Sequence, residues 1–508
     1  MQVDKTLAAI TINGKALAGL LPLGLHFKHQ YGRKIMAYNP ASVHAHEFID
    51  DAEIRATLAQ AAERARDPAD VAAILDKARQ ARGLNHRDAA VLLACKDPAT
   101  REQVARLAEQ IKLDFYGRRI VLFAPLYLSN YCINSCAYCP YHRSNKTMPR
   151  KKLTQAEIAA ETIALQDMGH KRLAIEAGED PANNPLEYIL ESIDTIYNVH
   201  HKNGSIRRVN VNIAATTVEN YRRLADAKIG TYILFQETYN RENYERLHPA
   251  GPKHDYAWHT EAMDRAMQGG IDDVGLGALF GLDSYEYEFA GLLMHGEHLE
   301  AVYGVGPHTI SVPRVKPADG IDPGAFDNSL DDDTFAHIIA CLRVAVPYTG
   351  LIISTRESQK MRERALACGI SQISGASRTS VGGYVTPEIR PEDSQQFEVS
   401  DQRSLDEVVD WLIGMGHVPS FCTACYREGR TGDRFMSLCK TGKIQNCCQP
   451  NALLTLREYL EDYASPETRE DGMNLISQEL ERVPSEHVRK LAEKRLAQIG
   501  AGERDFRF

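Results

Sequence analysis

Three thiols crowd one eight-residue stretch, Cys132-Ile-Asn-Ser-Cys136-Ala-Tyr-Cys139, in the spacing C-x₃-C-x₂-C. Cysteines this close cannot all pair with one another as disulfides, but their thiolates can wrap one metal cluster. Three ligands on a cubane of four irons leave one iron open to chelate an amino and a carboxylate group together. Tyr138, just before the last Cys, suits an adenine neighbour. The plain alternative is a zinc knuckle. Zinc takes four ligands, commonly in two pairs, and His142 is the only candidate nearby for the fourth.

A second group lies near the C-terminus. Cys422-Thr-Ala-Cys425 is followed, after residues 426–447, by Cys448. This triad suits another iron–sulfur cluster with an open corner. Zinc fits the spacing equally well, because Cys439 or Cys447 could complete a tetrahedron.

Other polar residues fall at the ends of apolar runs. The turn Gly178-Glu179-Asp180-Pro181, entered from Ala177, can offer backbone carbonyls to an ammonium group. Glu237 is a candidate acceptor for ribose hydroxyls. Arg356, in Ser354-Thr-Arg-Glu357, can clamp a carboxylate bidentately unless Glu357 already holds it. Ser374 and Tyr127 could accept from a substrate amine, and Tyr127 could equally pack against a substrate ring. His308 begins a strand and stands apart from all of these.

The elements that must position these groups form a rhythm. Strand candidates are Ile120–Leu128, Arg172–Ala177, Arg208–Ile213, Tyr232–Glu237, Asp273–Leu279, Thr309–Val315, Leu351–Thr355 and Ile370–Ser374. Amphipathic stretches alternate with them: Leu153–Met168, Pro185–Lys202, Tyr256–Met267 and Asp331–Val346. Apolar strands alternating with helices mean a parallel sheet, and eight such units fit a closed α/β (β/α)₈ barrel of TIM type. No strong G-x-G-x-x-G opens a dinucleotide fold. In a barrel, chemistry sits at the C-terminal ends of the strands, and Cys132 follows the first strand.

Ahead of the barrel, apolar residues recur at three- and four-residue steps over Asp50–Arg82, with Pro68 breaking a helical pair, and a further helical run covers Arg87–Ile111. Residues 385–402 read as a Pro- and acid-rich surface linker, followed by a helix at Ser404–Met415 and a polar helical cap. The expected division is an N-terminal extension with helices at 1–85, the barrel at 86–384, and a mostly helical iron–sulfur domain at 385–508.

Composition bounds the rest. The chain has 508 residues, 44% hydrophobic and 25% charged, with a formal net charge of −9. No long basic run suggests nucleic acid, and no apolar run reaches the ~20 residues of a membrane span. Ala16–Leu25 is apolar but lacks a cleavage site of signal-peptide type, and either Met1 or Met36 could start the chain. Eleven cysteines, eight of them in the two groups, indicate metal ligation in a reducing, cytoplasmic setting.

The first triad carries the signature of the radical S-adenosylmethionine (SAM) superfamily. The chain from about Tyr38 onward further resembles the HydG family, the radical SAM tyrosine lyases of FeFe-hydrogenase maturation. The marks are the first triad, Gln236-Glu-Thr-Tyr239, Gly275-Leu-Gly-Ala-Leu-Phe-Gly281, His308-Thr-Ile-Ser-Val-Pro-Arg314, Ser354-Thr-Arg-Glu357 and the Cys422/Cys425/Cys448 triad. The resemblance implies a [4Fe–4S] cluster on Cys132, Cys136 and Cys139 that binds SAM. Ala177, Gly178, Glu179, Asp180, Glu237 and Tyr138 would contact SAM, with His259 where a basic residue for its carboxylate is expected. It implies L-tyrosine as substrate, held by Tyr127, Arg356 and Ser374, and cleaved to p-cresol and dehydroglycine. It implies an auxiliary cluster whose extra iron is linked through L-cysteine and held by His308. There carbon monoxide and cyanide become an iron carbonyl–cyanide unit, with an internal cavity joining the two ends. The implied partners are maturases of the HydE and HydF types and a reductant such as ferredoxin. Two rival readings differ in class: a tyrosine lyase serving thiazole synthesis, and an iron–sulfur scaffold or carrier.

Overall fold

In the computed structural model, which describes residues 38–385 and 394–508, eight parallel strands close on themselves. They are β1 (Arg119–Ser129), β2 (Arg172–Ala177), β3 (Arg208–Asn212), β4 (Tyr232–Ile233), β5 (Val274–Gly277), β6 (Thr309–Ser311), β7 (Gly350–Ile353) and β8 (Gln372–Ser374). Closure is made by β1 against β8, with Val121 opposite Gln372 and Phe123 opposite Ser374. All eight expected strands are present, and the barrel class is the expected one. Residues 1–37, which include Ala16–Leu25 and both candidate start methionines, lie outside the described residues.

Strand β1 shows how the sequence divides inside from outside. Ile120, Leu122, Ala124, Leu126 and Leu128 are fully or almost fully buried, while the alternate residues Arg119, Val121, Phe123, Pro125 and Tyr127 line interior cavities. Period-two alternation sends one set against the helices and the other into the barrel. Strand β4 ends earlier than expected. The ladder runs on irregularly through Leu234 and Gln236, whose N–H groups donate to Gly275 and Gly277 at 3.1 and 2.8 Å. Glu237, at φ 69°, then turns the chain.

The helices follow their start signals. Asp50 caps Asp51–Arg64, and Asp67 caps Pro68–Arg79 with Pro68 in its first turn. The single helix expected over Arg87–Ile111 is two, His86–Ala94 and Pro98–Tyr116, because Pro98 has no N–H to continue the first and Asp97 caps the second. Tyr256–Met267 is likewise split, into Tyr256–Thr260 and Ala262–Gln268.

A ninth strand, β9 (Val418–Ser420), was not anticipated. It pairs in parallel with the first residues of β1, Arg119 opposite Val418 and Val121 opposite Ser420. This pairing delivers Cys422 to the N-terminal end of the barrel. Helix Gln445–Asp462 then brings Cys448 to the same place in its first turn.

The 385–402 stretch is not a surface linker where it is described. Phe397 and Val399 are buried, Gln396 and Ser400 donate backbone hydrogen bonds to Thr379 and Thr355, and Asp401 pairs with buried Arg362. The apolar residues alternating with polar ones make it a strap across the barrel mouth.

Candidate active site and metal centres

At the C-terminal end of the barrel, Cys132, Cys136 and Cys139 line one cavity with about 1220 Å³ of empty space, part of it open to solvent. Among the described residues all cysteines are free thiols. The loop that carries the triad is built by local hydrogen bonds. Asn134 Nδ2 donates to Glu179 at 2.6 Å, and its Oδ1 accepts the Lys253 N–H at 3.0 Å. Arg150 donates to the carbonyls of Asn130, Tyr141, His142 and Asn145. Gly178 has to be glycine: a Cβ there would lie 2.4 Å from the Tyr131 carbonyl oxygen and 3.0 Å from Cys132 Cβ. Burial pushes the Cys139 thiol up to about 12, so ligation there would release protons. His142 turns to Ser144 and does not line the cavity, which removes it as a fourth zinc ligand.

Ala177, Gly178, Glu179, Glu237, Tyr138 and His259 share this cavity with the thiols. Asp180 does not. Its carboxylate accepts the N–H groups of Ala182 and Asn183 and shapes the turn instead of facing a ligand. His259 does not supply the expected basic residue. Burial and nearby Lys253 hold it well below the usual histidine range, and its Nε2 lies 2.8 Å from the Phe235 carbonyl, which can only accept. Its Nδ1 therefore presents a lone pair, unsuited to a carboxylate. Lys253, one of three cations lining this cavity with Lys316 and Arg356, pairs with Glu237 at 2.8 Å. Burial opposes its charge, but Glu237 and Cys136 outweigh that and keep it protonated.

Deeper in the mouth, a contiguous cavity of about 700 Å³ is lined by Tyr127, Glu176, Asn212, Arg356, Ser374 and the strap residues Gln396 and Phe397, among others. Glu357 is taken by Arg314. The Arg356 guanidinium lies over the Phe397 ring at 3.6 Å and has no hydrogen-bond partner among the described residues. Tyr127 donates to Gln396 at 2.8 Å, and Ser374 Oγ accepts the Thr355 N–H at 3.1 Å. Burial raises the Glu176 carboxyl well above its ordinary value, against the pull of Arg356. The site is therefore a cation beside a neutral acid and a tyrosine, suited to an amino acid.

At the opposite end, Cys422, Cys425 and Cys448 line a separate cavity of about 570 Å³ with His308, Arg119 and Arg172. The Cys425 and Cys448 thiols are coupled, the interaction raising the first and lowering the second. Cys439 and Cys447 do not line it, so the cavity selects Cys448 from the adjacent pair. Arg172 donates to the Cys422 carbonyl at 2.7 Å. His308 Nε2 is 3.0 Å from the Tyr426 hydroxyl, and burial depresses its pKa, leaving the neutral imidazole that metals prefer. This cavity shares no lining residue with those at the mouth.

Sequence reasoning missed Lys253, Glu176, Asn212, Gln396 and Phe397. Glu176 was legible in principle: alternation along β2 from Ala174 points it inward.

Residues 126–291 match the model of the radical SAM superfamily, and residues 311–418 that of the biotin and thiamin synthesis associated domain. A crystal structure of HydG, described as a maturase of the [FeFe]-hydrogenase, is 52% identical, with a TM-score of 0.88 over 91% of this chain and 100% of that one. The chain belongs to the HydG family. A HydG from Carboxydothermus hydrogenoformans is similar at 39% identity and a TM-score of 0.76, over 89% of this chain and 99% of that one. The 2-iminoacetate synthase of Escherichia coli K12 is 32% identical, covering 68% of this chain and 89% of that protein. As a HydG-family member the chain is a radical SAM enzyme of the hydrogenase-maturase type, and the family implies a [4Fe–4S] cluster and SAM. The thiol triad at the mouth, converging on a roomy cavity beside a ligand-sized space, fits both. No helix among the described residues is long and apolar enough to cross a membrane.

Proposed function

We propose that this protein cleaves the Cα–Cβ bond of L-tyrosine to p-cresol and dehydroglycine, then converts dehydroglycine to carbon monoxide and cyanide. These would build an iron carbonyl–cyanide unit for the FeFe-hydrogenase H-cluster. The observation that carries the reading is the placement of two thiol triads in separate cavities at opposite ends of one barrel. Held by Cys132, Cys136 and Cys139, a cluster at the mouth would supply the electron for reductive cleavage of SAM.

The protein's own residues orient and enclose. Cys132, Cys136 and Cys139 would hold the SAM-binding cluster, and the Gly178–Glu179 turn would receive the SAM ammonium. Glu237, already fixed by Lys253, would accept from the ribose hydroxyls, with Tyr138 beside the adenine. Arg356 would clamp the tyrosine carboxylate. Glu176 and Tyr127 would orient the amine, Ser374 would floor the pocket, and the Gln396–Phe397 strap would exclude water. His259 accepts, and so serves a hydroxyl or an ammonium better than a carboxylate. At the far end Cys422, Cys425 and Cys448 would hold the auxiliary cluster, with His308 and L-cysteine as ligands to its extra iron. Residues 385–508 would then be the auxiliary-cluster domain, 86–384 the barrel, and 1–85 the extension. The same reading carries HydE- and HydF-type partners, a ferredoxin-like reductant and a cytoplasmic setting.

A tyrosine lyase for thiazole synthesis has no use for the second triad, and a cluster carrier has none for a substrate-sized cavity with an unpaired arginine. The test is an anaerobic assay of reconstituted protein with SAM, dithionite and L-tyrosine, reading p-cresol by chromatography and carbon monoxide by haemoglobin absorbance. Both products are expected. SAM cleavage without p-cresol would refute tyrosine as substrate; p-cresol without carbon monoxide would point to the thiazole enzyme.

A further inference from the structure

On the outside of the barrel's N-terminal end, a narrow cleft runs between the end of helix Pro98–Tyr116 and helix Gln445–Asp462. It reaches solvent at Arg118, whose side chain is 44% exposed, and passes half-buried Gln445 and Gln449. Its inner end is closed by Tyr116 and Arg119, and these same two side chains line the cavity of the second thiol triad. One layer of side chain therefore separates solvent from Cys422, Cys425 and Cys448. The mouth cavities, by contrast, have no lining residue in common with the triad cavity.

The two closing residues differ. Tyr116 is tethered, donating to the Tyr348 carbonyl at 2.6 Å. Arg119 is 8% exposed and has no hydrogen-bond or ion-pair partner among the described residues; it lies over the Tyr116 ring at 5.1 Å and shares the cavity of Cys425 and Cys448. The negative partners its charge has are the thiols of the triad cavity, Cys448 foremost, and its hydrogen-bond donors are left free for a passing anion. The one carboxylate along the cleft, Glu479, is engaged by Arg482 at 2.5 Å and stands 3.8 Å from Arg118. Arg119 is therefore the charged side chain at the inner end whose donors are not already taken.

We propose that this cleft is the auxiliary site's own port to solvent, admitting or releasing small monoanions, with Arg119 as the group that selects for charge. The proposal rests on the reading that the second triad holds an iron–sulfur cluster. It would give that site an exchange route independent of the tyrosine pocket. Arg119 is a positioning residue here, acting on whatever passes and ligating nothing.

The test uses the full chain carrying Cys132→Ser, Cys136→Ser and Cys139→Ser, so that iron loads only on the second triad. Iron counting comes first; protein without iron would overturn the cluster reading and the port with it. Binding of azide, a small anion, and methyl isocyanide, a neutral molecule of similar size, is then followed by rapid-freeze electron paramagnetic resonance of the reduced cluster. Gln449→Trp fills the cleft and is expected to slow both probes about tenfold or more. Arg118→Trp blocks the mouth from an exposed position and is expected to do the same without disturbing packing. Arg119→Gln is expected to slow azide about tenfold while leaving isocyanide unchanged, with Arg119→Lys restoring most of the azide rate. Iron-loaded protein in which both tryptophan variants keep wild-type rates would overturn the port alone. Equal slowing of both probes in Arg119→Gln would overturn the charge selection.

Discussion

Arg119 and Tyr127 project into the barrel from the same face of one strand, Arg119 into the cavity of the Cys422 triad and Tyr127 into the cavity of the Cys132 triad. Eight residues at ~3.3 Å each separate them by roughly 26 Å. Between them Val121, Phe123 and Pro125 occupy the interior. A single element thus fixes the distance between the two thiol triads' cavities.

Arg356 has no ion-pair partner, because Glu357 is spent on Arg314. A clamp on a substrate carboxylate should be specific for the guanidinium fork. Arg356→Lys is expected to raise the KM for tyrosine roughly 10- to 100-fold, the loss of a charge-assisted bond worth about 1.5–3 kcal/mol. SAM cleavage without tyrosine should be unaffected. Steady-state p-cresol formation against tyrosine concentration measures the first, and 5′-deoxyadenosine release the second.

Glu176 should make the fold pH-sensitive in an unusual direction. Its folded-state pKa is raised well above 4.5, chiefly by burial, so the native state keeps a proton that the unfolded chain releases. Its contribution is present below pH 4.5 and is lost as pH rises towards the folded value. Glu176→Gln mimics the neutral acid and is expected to have a higher Tm than the parent, with the gap widening from pH 5 to pH 8. Calorimetry across that range is the check, and a gap that narrows with rising pH would count against it.

Gly178 carries a backbone, not a side-chain, requirement. Gly178→Ala drives a methyl against the Tyr131 carbonyl and Cys132 Cβ, costing about 1–3 kcal/mol and displacing the first ligand. In a protein also carrying Cys422→Ser and Cys425→Ser, the expected result is a sharp fall in iron per chain with near-normal circular dichroism. Full iron content would refute the packing argument.

The strap closes through Tyr127 and Gln396 at 2.8 Å. Gln396→Ala should loosen it by about 1 kcal/mol. Uncoupled SAM cleavage per p-cresol formed is expected to rise a few-fold as water enters, read as the ratio of 5′-deoxyadenosine to p-cresol.

The sequence made the barrel readable because strands buried on both sides are continuous apolar runs, and the thiol triads readable because ligand spacing is local. Residues supplied by distant segments were not readable. Lys253 meets Glu237 only because the chain after β4 folds back over the mouth, and nothing in its neighbours marks it. Gln396 and Phe397 sit in a stretch whose Pro and acid content resembles a linker, although alternate residues of it are buried. Strand β9 is too short to announce itself, yet it carries Cys422 to Arg119. His259 was placed by analogy with a basic position, and only the carbonyl opposite its Nε2 shows that it accepts.

The most direct test of a division of labour between the two ends is the Cys422→Ser/Cys425→Ser double variant, assayed beside the wild type and His308→Ala with SAM, dithionite and L-tyrosine. The account predicts that both variants form p-cresol at near wild-type rates while carbon monoxide is lost in the double variant and strongly reduced in His308→Ala. Carbon monoxide at wild-type levels from the double variant would contradict it, because all the chemistry would then belong to the barrel mouth.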